Sequence, residues 1–508
     1  MPVSDVAIDG LEKLADTNNV AGGGADTTAA DAERREVVEC DLCIIGAGSG
    51  GLSVAAAASA FGRSVVLVEK GKMGGDCLNY GCVPSKALIA AAKRAHMIAT
   101  SGAFGIKADA PTIDYAAVNK HVHEVIAAIE PNDSVERFTG LGVKVIQAAG
   151  RFIDKDTLVA GEYRIKASRF VIATGSSPFI PPIEGLDQTP YFTNETLFEN
   201  NQKLDHLIIV GGGPIGLEMA QAHRRLGSEV TVLEGAKALA KDDPEMTHIV
   251  LKKLRDEGID IREGTTVKSV ERTSFGTVKV GVEADGASFH IEGSHLLLAV
   301  GRQPTVSHLG LDEAGIKYTP RGIKVDKGLT TTNKSVFAIG DVTGGLQFTH
   351  VANYHAGLVI RKALFRVPVS VDNTIIPWVT FTDPELAHVG LTEDQAATKY
   401  GSVKVLRWPY QENDRAQAER TTTGHVKVVL TKRGRIIGAT IVGPQAGEII
   451  SMWSLAVSQK MNIKAMTAWV SPYPTLSEIN KRAAYKFYAT FPSTPVVRKI
   501  IGWLEKLG

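Results

Sequence analysis

The apolar stretch Cys40-Asp41-Leu42-Cys43-Ile44-Ile45 reads as a buried strand. Gly46-Ala47-Gly48-Ser49-Gly50-Gly51 interrupts it, an alanine-rich helical segment follows, and Ser64-Val65-Val66-Leu67-Val68-Glu69 forms a second strand. The pattern then recurs: a strand over 205–210, the turn Gly211-Gly212-Gly213-Pro214-Ile215-Gly216, a helix through Leu226 and a strand over 230–234. Gly46, Gly51, Leu52, Gly62 and Glu69 map onto Gly211, Gly216, Leu217, Gly227 and Glu234 by a single offset of 165. After Pro368 the pattern changes to strands alternating with turns, at 378–381, 426–430 and 436–440. Residues 496–504 place their apolar positions on one side of a short amphipathic helix.

Each strand–glycine turn–helix–strand unit carries the dinucleotide-binding fingerprint in its full context. In the first, Gly46 permits the turn, Gly48 lets a pyrophosphate approach the backbone, Gly51 packs helix on strand, and Glu69, 23 residues after Gly46, reaches a ribose. Gly211, Gly213, Gly216 and Glu234 repeat these roles, so one chain carries two dinucleotide sites. A carboxylate at Glu234 accepts from a free ribose 2′-hydroxyl and repels a 2′-phosphate, which favours NADH over NADPH. Lys237, Lys241, Arg224 and Arg225 work against that preference.

Composition narrows the class. Lys plus Arg is 56 against Asp plus Glu 55, so no basic field points to nucleic acid, and four cysteines are too few for a secreted disulfide scaffold. No apolar run reaches about 18 residues, and the first residues lack a basic region followed by an apolar one, so a cytoplasmic protein without an integral membrane segment is expected. Residues 1–36, rich in Ala, Gly, Asp and Thr, read as a disordered extension with a short helix near Leu11 to Leu14. Cys40 and Cys43, three apart on a strand, are expected to face opposite ways as core residues rather than as half of a metal site.

The remaining cysteines stand in Gly74-Gly75-Asp76-Cys77-Leu78-Asn79-Tyr80-Gly81-Cys82-Val83-Pro84-Ser85-Lys86, entering an alanine-rich helix. A regular helix separates the two by roughly 7.5 Å of axial rise, beyond the about 7 Å between alpha carbons that a disulfide tolerates, so the first turn is expected to be distorted at Gly81. A helix start and a nearby cation lower thiol pKa. Spacing alone leaves a structural disulfide or two buried thiols open.

The run CLNYGCVPSK resembles the redox-active site of the flavoprotein disulfide reductases, the pyridine nucleotide-disulfide oxidoreductase family that includes dihydrolipoamide dehydrogenase, glutathione reductase and mercuric reductase. The resemblance extends from about Val37 to Thr490. It implies two doubly wound α/β dinucleotide-binding domains, for FAD and NAD, followed by an α+β dimerisation domain. The expected borders are 37–185 with 304–372 for FAD, 186–303 for NAD and 373–508 for the homodimer interface. By the same resemblance Cys77 is the interchange thiol, Cys82 touches the flavin, Lys86 is a charge near the flavin ring, and Glu218 pairs with Lys86. Thr174 and Gly175 end the first flavin section, Gly301 closes the nicotinamide domain, and Asp341 holds the ribityl chain unless it is a turn aspartate. Thr349 and His350 run along the flavin's pyrimidine edge, and each active site is completed by the partner subunit's C-terminal domain.

One motif departs from the pattern. In Ser471-Pro472-Tyr473-Pro474-Thr475-Leu476-Ser477-Glu478, Tyr473 stands where the family carries a histidine, as in mercuric reductases and soluble transhydrogenases. Glu478 either keeps a catalytic role or forms a capping box with Thr475. The histidine-proline bond of the family is cis, and a cis Tyr473–Pro474 bond is expected. Against mercury stands the absence of cysteine after Cys82; against transhydrogenase stands the intact pair. The reading is an NADH-preferring flavin oxidoreductase whose dithiol serves a small molecule or metal ion: a thiophilic metal, a quinone or a disulfide. Its alternatives are a dihydrolipoamide dehydrogenase subunit and a non-catalytic flavin-bearing interaction protein. The C-terminal helix packs on the dimer, or else contacts a membrane surface or a partner.

Overall fold

In the computed structural model, which describes residues 35–489 and 491–507, both glycine-rich turns join a parallel strand to a helix. The chain separates into two compact units, one built from residues up to Gly235 together with Arg262–Val371, the other from Ala236–Ile261 and the chain from Asp372 on. The expected extension, apart from its last two residues, lies outside the described residues.

The first unit holds a seven-stranded sheet. Its parallel part runs Val143–Gln147, Val65–Glu69, Glu36–Ile45, Tyr163–Ile172 and Val336–Ala338, and a meander of Thr157–Ala160 and Gly150–Phe152 continues it antiparallel. Both faces are apolar, as parallel sheets require: Leu42, Ile44 and Leu67 pack on one side and Cys43, Ile45 and Val66 on the other. The same unit repeats the theme in His206–Val210, flanked in parallel by Glu229–Glu234 and His295–Leu298. A three-stranded antiparallel sheet over Thr266–Arg272, Val278–Ala284 and Ala287–Gly293 adjoins it in sequence.

Cys40 and Cys43 are core residues, but they do not face apart: both pack against the same apolar cluster. The amides of Asp41 and Leu42 both bond the carbonyl of Ser64, and the Asp41 carboxylate accepts from the Ser64 amide and hydroxyl. This irregularity breaks the strict alternation on which the expectation rested.

The second unit is a five-stranded antiparallel sheet in the order Pro377–Thr380, Glu385–Gly390, Ile436–Gly443, His425–Thr431, Val403–Pro409. Helix Ala446–Ser458 covers it through the fully buried Trp453, whose indole N–H donates to Asn480 at 2.7 Å. Lys427, 4% exposed on the sheet, holds Asp243 at 2.7 Å and Glu245 and Glu393 at 2.8 Å each. Asp243 caps helix Pro244–Asp256, so one ammonium ties that helix to the sheet. Lys427→Ala leaves three carboxylates around an empty position, and its expected cost is about 3–5 kcal/mol in denaturant unfolding. Lys427→Met with Asp243→Asn removes both buried charges while keeping a capping oxygen, and is expected to recover part of that loss.

Candidate active site

The two fingerprints have the same local geometry. A Cβ on Gly46 would stand 2.4 Å from the carbonyl oxygen of Ala173, and one on Gly211 2.4 Å from that of Ala299, with φ of +105° and +113°. Only glycine fits such turns. At Gly213 nothing lies within 4 Å of the equivalent Cβ, and at Gly48 only an alpha carbon 4.0 Å away, so the backbone is open to a close ligand there. Helices Ser49–Ala60 and Pro214–Arg225 start at these residues without a side-chain cap. Their first N–H groups suit a pyrophosphate. Glu69 accepts from the amides of Ala47 at 2.6 Å and Gly71 at 2.7 Å, and Glu234 from Gly212 at 2.7 Å. Each carboxylate is thereby fixed at its strand end, where this residue type accepts from ribose hydroxyls. These donors and open glycines fit FAD at the first site and a nicotinamide dinucleotide at the second.

The cysteine stretch departs from the expected single helix. Cys77 belongs to a one-turn helix, Gly75–Asn79, and Cys82 begins a separate helix, Cys82–Ala99. The break at Tyr80 and Gly81 provides the required distortion. Gly81 is needed for space rather than for a left-handed backbone: a Cβ there would stand 2.7 Å from Asp76 Oδ2. Asn79 Nδ2 donates to the carbonyls of Met73 and Gly75 at 2.9 Å each, closing the short turn on itself. Gly74 donates to the Ala47 carbonyl at 3.0 Å and bridges to Gly48, fastening the dithiol to the first fingerprint.

The thiols face each other. Cys82 Sγ lies 3.4 Å from Thr349 Oγ1, at the start of helix Thr349–Phe365. The Cys77 thiol donates to Cys82 and, with the Thr349 hydroxyl and the Lys86 ammonium, holds the Cys82 pKa down to about 6 against burial and the Asp76 charge. The same contact, followed by burial, pushes Cys77 far up. Cys82 is thus the sulfur that carries charge near neutral pH. In the reduced protein one thiolate should appear as pH rises through about 6 and vanish below it; ultraviolet thiolate absorbance against pH measures this. Lys86→Met, which removes one stabilising charge, should move that titration upward.

Lys86 Nζ meets Glu218 Oε2 at 2.6 Å, and Glu218, on helix Pro214–Arg225, is 5% exposed. The expected pair is present. Thr174 donates to the Thr305 carbonyl at 2.8 Å, and Gly175 turns with φ +65°. Strand Ser176–Pro178 pairs with Arg302–Pro304, joining the end of the first flavin section to the segment after Gly301, whose φ is +119°. Asp341 is not a cap of its own turn: its carboxylate accepts from Ser176 Oγ at 2.6 Å, and burial raises its pKa. His350 is exposed beside Thr349, its ring stacked on Phe348 at 5.3 Å.

A polar clamp absent from the sequence reading holds the Cys77 turn. Asp76 Oδ1 receives Arg302 Nη2 at 3.1 Å and Asn194 Nδ2 at 3.0 Å, while Arg302 also donates to Ser176 Oγ and its carbonyl at 2.7 and 2.8 Å. Its partners lie 118 and 226 positions from Asp76, and the only local signal is an acidic residue directly before a redox cysteine.

In the second unit the Tyr473–Pro474 bond is cis, as expected. Tyr473 is 67% exposed, and its hydroxyl donates to Asp414 Oδ2 at 2.8 Å, which raises the phenol pKa further. Glu478 forms no capping box: the N-cap of helix Glu478–Tyr485 is Ser477, without a side-chain bond. Its carboxylate is held by Arg482, one turn on, at 2.8 and 2.9 Å. Thr475 instead donates to the Pro472 carbonyl.

Comparison with known proteins agrees with this geometry. The family model described as pyridine nucleotide-disulphide oxidoreductase matches residues 40–356, and that of its dimerisation domain matches 376–484. A mercuric reductase of Streptomyces lividans is 36% identical over 456 residues, covering 88% of this chain and 96% of that one. A dihydrolipoyl dehydrogenase of Geobacillus stearothermophilus is 36% identical over 463 residues, with the same coverages. Among solved structures, the Cu(II) complex of the HOCl-induced flavoprotein disulfide reductase RclA from Escherichia coli matches with a TM-score of 0.79 and 28% identity, over 87% of this chain and 99% of that one. The chain belongs to the pyridine nucleotide-disulphide oxidoreductases, homodimeric flavoproteins that use FAD and a nicotinamide dinucleotide.

Proposed function

We propose that this enzyme oxidises NADH and delivers the electrons through the Cys77/Cys82 dithiol to a thiophilic metal ion, or to a quinone or unusual disulfide. FAD, when bound, relays reducing equivalents between the nicotinamide and the dithiol. The observation that carries the reading is the tyrosine at position 473, with its hydroxyl committed to Asp414 and Glu478 committed to Arg482.

Reduction of a disulfide begins when a Cys77 thiolate attacks one substrate sulfur, breaking the S–S bond and releasing a thiolate that takes up a proton. Cys82 then attacks the Cys77 sulfur, re-forming the internal disulfide and releasing the second thiolate. Cys77 must first lose a proton that its environment holds tightly. A histidine near pKa 6.5 takes it readily at neutrality, whereas a phenol above about 10 does not. A soft metal ion needs no such base, because coordination itself displaces the thiol proton. Lys86, fixed by Glu218, keeps the Cys82 sulfur anionic. The named relatives span both chemistries, and the Cu(II) complex of the Escherichia coli protein supports a metal acceptor.

The test is NADH turnover across mercuric and cupric ions, quinones, lipoamide and glutathione disulfide on one preparation. Metal or quinone turnover well above that of both disulfides supports the reading. Lipoamide as the best acceptor favours a dihydrolipoyl dehydrogenase, the role named for a relative of equal identity.

Glu234 governs the donor. Its carboxylate, fixed by the Gly212 amide, repels a 2′-phosphate, so kcat/KM for NADH is expected to exceed that for NADPH roughly tenfold or more, the effect of about 1.4 kcal/mol. Glu234→Ala should narrow the ratio chiefly by improving NADPH, which steady-state kinetics with both donors will measure.

A further inference from the structure

Helix Pro495–Leu504 lies beyond residues 376–484, which the dimerisation-domain model matches, and none of its residues is buried. Val496, Ile500, Ile501, Trp503 and Leu504 are all exposed, Trp503 by 62%. At about 3.6 residues per turn these five, with Val497 and Leu507, occupy one continuous side. Arg498, Lys499, Gly502, Glu505 and Lys506 occupy the other. An apolar face of this length left in water on a folded unit marks an interaction surface.

Charge and residue type select the occupant. From Phe491 onward the chain carries three basic residues against the single acid Glu505, whereas the whole chain balances 56 against 55. Of these bases Lys499 stands next to Trp503 at one edge of the apolar side, where its long stem reaches outward while that side is buried, and Arg498 and Lys506 lie farther round. Protein interfaces deplete lysine at their centres, and an acidic protein groove would have to desolvate these ammonium groups. An anionic lipid surface does not: the ammoniums stay in the headgroup layer while valine, isoleucine and leucine enter the acyl boundary. Trp503 lies at the edge of the apolar side, a level that indole prefers at a membrane interface. Among the described residues no helix is long and apolar enough to cross a membrane, so the contact is a surface one.

We propose that helix Pro495–Leu504 lies in the headgroup plane of an anionic lipid bilayer and attaches this flavoprotein reversibly to a membrane surface. Its short apolar side and small positive charge make each attachment weak and reversible.

The experiment is flotation of the full-length, FAD-loaded protein with phosphatidylcholine vesicles, with and without roughly a third phosphatidylglycerol, followed by sedimentation of the same samples without lipid. At least about tenfold more protein should float with the anionic vesicles, and most of that gain should disappear in about 0.5 M salt. Arg498→Glu with Lys499→Glu should remove the anionic preference. Ile500→Asp should prevent flotation altogether, while the dimer mass and NADH oxidation with an artificial acceptor stay unchanged. Failure to float with anionic vesicles, or equal flotation of the Ile500→Asp variant, overturns the proposal. If Ile500→Asp instead lowers the assembly mass, the face is covered by a second copy and the lipid assignment is wrong.

Discussion

Cys77→Ser is expected to lower turnover of every acceptor that depends on the dithiol by on the order of 10³ or more, while leaving electron transfer from NADH to an artificial acceptor intact. The two sulfurs are unequal in this structure. Cys82 touches Thr349, which by resemblance lies along the flavin, and its thiolate is held by the Cys77 thiol, Thr349 and Lys86. Cys77 sits on its own short turn, clamped through Asp76 by Arg302 and Asn194, with a thiol that keeps its proton. Serine at Cys77 keeps an O–H donor toward the Cys82 thiolate, so the Cys82 titration should persist near pH 6. Serine at Cys82 should abolish that titration and dithiol turnover together. Alkylation of the reduced wild type against pH checks the charge assignment independently, with Cys82, the more exposed cysteine and the one that ionises near pH 6, expected to react first; earlier labelling of Cys77 would reverse that assignment.

Tyr473→His is expected to raise lipoamide or glutathione disulfide turnover by about 10-fold or more, a conservative share of what general acid–base catalysis supplies. By resemblance this residue stands opposite the dithiol of the partner subunit. The tyrosine hydroxyl is spent on Asp414, and Glu478 is spent on Arg482, so neither removes the Cys77 proton. Histidine would titrate near neutrality, and Asp414, which now takes the tyrosine hydroxyl, is a carboxylate near position 473. Metal-ion turnover should change little, because coordination displaces the proton without a base. Steady-state kinetics with both acceptor classes separate the outcomes. A variant that leaves disulfide turnover flat would remove Tyr473 from the explanation of substrate class.

What the sequence revealed and what it concealed divide along a physical line. The offset of 165 between fingerprints was readable because backbone turns, glycine contacts and strand burial are encoded locally, and the structure repeats them almost atom for atom at Gly46 and Gly211. Family motifs carried the Lys86–Glu218 pair and the cis bond at Pro474. Polar partnerships between distant segments left no local trace. The Asp76–Asn194–Arg302 clamp, the Tyr473–Asp414 bond and the Lys427 cluster join residues whose proximity arises only after the sheets form. Where local rules failed, a competing bond was responsible: Ser64 drew two successive amides and cancelled the alternation of Cys40 and Cys43, and Arg482 drew Glu478 away from a capping box.

The central claim is that Cys77 and Cys82 form a working redox pair, and anaerobic titration of the FAD-loaded wild-type protein with NADH tests it most directly. The account predicts uptake of a second pair of electrons beyond the pair that reduces the flavin, with two thiols becoming open to alkylation and a long-wavelength thiolate absorbance that fades below about pH 6. A titration complete after one pair of electrons, with no new thiols and no such absorbance, would contradict it and leave a flavoprotein whose cysteines take no part in electron transfer.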